Sequence, residues 1–160
     1  MILIMAEIIE ILFEYSDLKK AVAFLMEVNS NAILLDFQVA SETNDANINL
    51  QLESELFNSI DNSSDGLFSF NFSEFKLQSV ELSWIGIQLY KYDSKYDLNC
   101  SFNLNELKRL VSLSSLRDWA ELVSKEVNAK SYCGGYEPAV DEETRFFTGK
   151  NLGPLKFSGN

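Results

Sequence analysis

Between residues 67 and 103 the chain alternates apolar and polar side chains almost without a break, and this run leaves few folds open. Phe68, Phe70 and Phe72 fall on one side of an extended chain and Ser69 and Asn71 on the other, the two-residue period of a half-buried strand. Phe75 to Leu82 and Trp84 to Tyr92 extend the pattern, and Tyr96 to Asn103 repeats it with Leu98, Cys100 and Phe102 on one face. The links between these runs are short and polar, with no room for crossover helices, so antiparallel pairing is the economical solution.

The flanking segments add elements of both kinds. Residues 6–15 are dense in β-branched and aromatic side chains and read as a strand, with a helix as the other reading, and the run stops at Ser16, which suits a helix N-cap. From Asp17 the period changes: Leu18, Ala21, Val22, Leu25 and Val28 share one face of a helix over 17–29. Ala32 to Ala40 reads as a buried strand, Ser41 to Asp45 as a turn, and Asn47 to Leu56 as a strand with Ile48, Leu50 and Leu52 on one side. Leu104 to Leu113 reads as a short helical piece. Ser115, three residues before Asp118, opens a helix whose apolar face is Leu116, Trp119, Ala120, Val123 and Val127. Ser131 to Tyr136 forms a last strand. Residues 137–160 hold both prolines and no regular period, which predicts an irregular C-terminal segment packed on the body. The expected fold is a single α+β domain over residues 1–160, with a mainly antiparallel sheet of about six or seven strands and two or three helices on one face.

Composition narrows the chemistry. The sequence has 160 residues and no histidine, which removes the commonest general base, the Ser-His and Cys-His nucleophiles and every His-dependent metal site. Cys100 and Cys133 are too few for a structural zinc site and read as reduced core thiols, with a mutual pairing open only if their strands lie side by side. Asp61 to Gly66 lacks the acidic twelfth position of an EF-hand, since that place falls on Phe72. Gly134 and Gly135 have no P-loop Lys-Ser/Thr after them and read as turn or bulge glycines. No cofactor or metal is implied. Glu7 and Glu10 interrupt the apolar N-terminal run and no stretch is long enough for a membrane span, which makes the cytoplasm the expected location.

Charge is the remaining signal. The formal net charge is −11, and residues 1–80 carry 13 Asp or Glu against 3 Lys. Asp36, Glu42, Asp45, Glu53, Glu55, Asp61 and Asp65 lie in a stretch without one Lys or Arg. One sign over so long a stretch costs self-repulsion, and a solvated face normally mixes both signs. Either it is a soluble face with no partner, or it steers a basic protein; nucleic acid and membrane surfaces would be repelled. Phe57, Phe68 and Tyr92 are candidate aromatic anchors if exposed. A nucleic-acid mimic or a His-free carboxylate enzyme are the competing classes.

A small, acidic, histidine-free α+β chain without a catalytic set resembles the immunity proteins of bacterial polymorphic-toxin and contact-dependent inhibition systems. The stretch YCGGYEPAVDEETRFFTGKNLGPL, Tyr132 to Leu155, is similar to the end of small bacterial proteins grouped with them. The resemblance implies a non-enzymatic inhibitor whose partner is a cognate, basic protein toxin, a nuclease being one class that fits. Residues 36–65 would then supply most of the contact.

Overall fold

The computed structural model describes residues 7–41, 52–108 and 112–156. Along them run β1 (Ile8–Glu14), α1 (Leu18–Asn31), β2 (Ile33–Ser41), α2 (Glu53–Asp61), β3 (Gly66–Leu77), β4 (Val80–Tyr92) and β5 (Lys95–Asn103). α3 (Leu113–Glu126), β6 (Ser131–Tyr136), β7 (Arg145–Thr148) and β8 (Asn151–Leu152) follow. The strands form one antiparallel sheet in the order β2-β3-β4-β5-β1-β6-β7-β8. It has one strand more than the upper expectation, and all three helices contribute to the same core.

The alternating run makes β3, β4 and β5, but the chain does not reverse where the sequence changes phase. The apparent break at Ser83 lies inside β4; the reversal comes at Gln78 and Ser79, where Leu77 faces Val80. Glu74, at φ 53°, shifts the alternation of β3 by one, and β4 shifts opposite it. Phe72–Ile85 and Phe75–Leu82 therefore both return to the covered face, although each strand has an even number of residues between them. β4 and β5 are joined by Asp93 and Ser94, both at positive φ as a type I′ turn requires.

β1 lies between β5 and β6, so the first strand of the chain is central. Its Ile9, Ile11 and Phe13 are wholly buried beside Leu98, Cys100 and Phe102 of β5. α1 closes over this layer with Leu18, Ala21, Val22, Phe24, Leu25 and Val28. Its N-cap is Asp17, whose carboxylate accepts from Lys20 N at 3.0 Å. Ser16, the expected cap, instead donates to Phe13 O and is buried. α3 likewise starts earlier than Ser115: Ser112 Oγ accepts from Ser115 N at 3.1 Å. Trp119 of α3 meets Phe75 edge to face at 6.3 Å.

Three further expectations are corrected. Asn47 to Leu56 does not continue as a strand: residues 47–51 lie outside the described residues, and Glu53 begins α2, which buries Leu56 and Ile60 one turn apart. Of the helical piece expected over 104–113, only a single turn at Leu104–Glu106 forms before residue 107, and residues 109–111 lie outside the described residues. The C-terminal segment is not merely irregular, because β7 and β8 extend the sheet. A bulge at the Gly134/Gly135 register shift turns the consecutive Phe146 and Phe147 into one core. Gly134 is needed there: a Cβ would lie 2.5 Å from the Phe147 ring.

Candidate functional site

Helices cover one face of the sheet; the other face carries the side chains that alternate with the core. Glu10, Ser101 and Gly86 stand in one row across β1, β5 and β4, and Leu12, Asn99 and Gln88 in the next. Asn99 Nδ2 donates to Glu10 Oε2 at 2.7 Å and to Gln88 Oε1 at 3.2 Å. Tyr92 Oη donates to Asp97 Oδ2 at 2.9 Å, and the other oxygen of Asp97 accepts from Tyr15 N. Two adjoining depressions of about 390 and 360 Å³ share Glu10, Tyr90, Asn99 and Glu137.

One wall of this groove is the chain after β6. Residues 137–140 run back over the sheet, where Ala139 N donates to Glu10 Oε1 at 3.1 Å and Glu137 N to Ile8 O at 2.9 Å. Arg145 holds the strap from outside, with Nε on Ala139 O at 2.8 Å and an Nη on Val140 O at 3.1 Å. Its guanidinium is thus engaged with carbonyls. Among the described residues, no Lys or Arg lines either depression. Burial, and then the charges of Glu10 and Glu137, push the Tyr90 hydroxyl pKa up, so it stays a neutral donor.

Cys133 lies under the strap, with its Sγ donating to Ala139 O, and Cys100 lies in the core on the opposite face. β1 separates their strands, which closes the pairing left open by the sequence. Burial raises the Cys100 thiol to about 12 and the Cys133 thiol to about 11, so neither is an activated nucleophile at neutral pH.

The acidic stretch is not one face. Asp36 lies on β2 on the helix-free side, where Asn71 Nδ2 donates to it. Glu53 and Glu55 occupy the first turn of α2, next to its positive end. Asp61 closes α2, and Asp65 accepts from Asp93 N at 3.1 Å. Glu42 and Asp45 lie outside the described residues. Phe57 is partly buried against the core and lines a cleft of about 630 Å³ with Lys19 and Val22 of α1. Phe68 is 1% exposed and is a core residue rather than an anchor, while Tyr92 is half-buried on the groove.

Sequence reasoning passed over Lys91, the residue that ties the acidic end together. Its Nζ donates to the carbonyls of Ile60, Asp61 and Ser63 at 2.9, 2.9 and 2.6 Å. A cation at the C-terminal carbonyls of α2 satisfies orphan acceptors and opposes the helix dipole. Its place in an alternating strand, at an apolar position, was the available signal.

Against known proteins, residues 7–152 match the model of the PABL017 Cdi1I immunity protein family. The chain belongs to this family. It is therefore an immunity protein, a neutraliser of a cognate toxin rather than an enzyme. The immunity protein has the fold of a chain in the crystal structure of the toxic C-terminal tip of CdiA from Pseudomonas aeruginosa in complex with immune protein. That likeness has a TM-score of 0.73 at 24% identity, over 94% of this chain and 99% of that one. No curated protein matches. Among the described residues of the immunity protein, no helix is long and apolar enough to cross a membrane and no cluster of acidic or thiol side chains could hold a metal ion.

Proposed function

We propose that this immunity protein neutralises its toxin by binding a basic surface of it, a nuclease being the class that fits, and that it acts in the cytoplasm. The single observation that carries the reading is the family match over residues 7–152. The net charge of −11 supports the basic partner, because a surface built to hold phosphates also complements clustered carboxylates. In this reading Asp36, Glu42, Asp45, Glu53, Glu55, Asp61 and Asp65 draw the toxin in, with Phe57 as an aromatic contact beside α2. The crystal structure of similar fold pairs a CdiA toxin tip with its immune protein, which makes a protein complex the natural form of inhibition here too.

The test is reversal of Glu53, Glu55, Asp61 and Asp65 to Lys, with affinity for the cognate toxin domain measured at two salt concentrations. Association is expected to slow by about 10-fold or more at low salt and to lose most of its salt dependence. Unchanged affinity and unchanged salt dependence would remove the acidic stretch from the interface.

A further inference from the structure

The groove on the helix-free face is distinct from the acidic stretch, and its chemistry is more specific than negative charge. Glu10 is held from two directions, by Asn99 Nδ2 at 2.7 Å and by Ala139 N at 3.1 Å, and both donors are neutral. Asn99 is 5% exposed, so the carboxylate is anchored on an ordered floor. An ionised carboxylate accepts about four hydrogen bonds, so each oxygen of Glu10 keeps acceptor capacity after these contacts. Among the described residues no cation pairs with Glu10, and the Arg145 guanidinium is committed to carbonyls of the strap and to Thr148 Oγ1.

Opposite Glu10 stands an aromatic surface. A Cβ on Gly86 would come 3.0 Å from Trp84 Cη2, 3.0 Å from Gln88 Nε2 and 3.2 Å from Ser101 Oγ. Glycine leaves room for the Trp84 indole and the Gln88 amide to lie close over the sheet at this point, where a Cβ would crowd both. Glu10 and Gly86 are two strands apart in one row, about 10 Å between backbones at the usual strand spacing. The Glu10 carboxylate and the Trp84 indole therefore both line one depression, with Glu137 and Tyr90 also in its wall. Charge and shape together favour a planar cation that accepts stacking and donates to a fixed carboxylate. A guanidinium does both; an ammonium is a compact point charge that leaves the ring face unused.

Resting on the toxin-binding reading above, we propose that this groove receives an arginine side chain of the cognate toxin, with Glu10 as its carboxylate partner and Trp84 as its stacking surface. The strap at 137–140 pre-forms the pocket, so little ordering is required when the toxin docks.

Isothermal titration of the 160-residue chain with the cognate toxin domain tests the groove, using wild type, Trp84→Ala and Glu10→Gln, each with its melting curve. Each variant is expected to lower affinity by roughly 30-fold or more, as truncation of a buried interface anchor does. Folded variants that bind as tightly as wild type overturn the groove and leave the functional reading standing; a wild type that does not bind this toxin domain takes down both. Should a variant fail to fold, the wild-type chain titrated with N-acetyl-arginine amide decides. Shifts of the Trp84 indole and Asn99 amide NMR signals, larger than with N-acetyl-lysine amide, support the assignment, and equal or absent shifts overturn it.

Discussion

The two faces of the sheet use the same strands for opposite ends. On the covered face Phe68, Phe70 and Phe72 are 1% exposed and pack beneath α1 and α2. On the other face the intervening Ser69, Gln88, Asn99 and Ser101 are joined by hydrogen bonds to one another or line the groove. One face supplies stability through apolar area removed from water, about 2 kcal/mol per large side chain. The other keeps polar groups ordered at a surface, which contributes little to folding and leaves their hydrogen-bonding capacity open to a partner. A side chain's role in this protein therefore follows from its face more than from its strand.

The strongest challenge to that contrast is Phe70→Ala against Gln88→Ala. Phe70 is in the core against Phe37 at a ring separation of 4.8 Å, and its truncation is expected to cost about 4 kcal/mol by urea unfolding. Gln88→Ala, on a neighbouring strand but the open face, should stay within about 1 kcal/mol. Comparable losses at both sites would erase the distinction.

Lys91→Met sharpens the contrast from the covered side, because there a cation is buried to serve backbone rather than a partner. Removing its three bonds to α2 and the following turn is expected to cost about 2 kcal/mol. Hydrogen exchange should quicken at Ile60 to Ser63 and not in the groove.

The smallest effect concerns the helical layer itself. Burial, followed by the hydrogen bond and charge of Glu27 across from α1, raises the Glu126 carboxyl to about 7. A carboxyl with a raised folded-state pKa binds its proton more tightly when folded. Its contribution to stability is therefore present in acid and lost as pH rises through about 7. Glu126→Gln should raise stability at pH 8 by about 1 kcal/mol after solvent screening, and by nearly nothing at pH 4. A gain of equal size at both pH values would contradict the coupling.

Some features were legible in the sequence because they are set by local periods. α1 and α3 announce themselves through apolar residues three and four apart, and β5 through Leu98, Cys100 and Phe102. α2 was missed because its N-cap, Leu52, makes no side-chain cap bond and so gives no start signal. Leu56 and Ile60, one turn apart, were the trace it left, while its end is secured by Lys91, some thirty residues away in sequence. β7 was missed because the bulge at Phe146 destroys the alternation that marks a strand. The groove escaped notice since Glu10, Trp84, Asn99 and Glu137 come from four separate segments.

The sequence by itself determined that this chain would bury alternate residues of an antiparallel sheet, carry amphipathic helices and lack histidine chemistry. Those properties follow from spacing and residue type within a few positions. Tertiary structure decided that β1 would run through the middle of the sheet, that the strap would cross the open face, and that Glu10 would meet Asn99 across 89 residues. Such contacts depend on which strands pair, and pairing is chosen by the best burial available to the whole chain rather than by any local pattern.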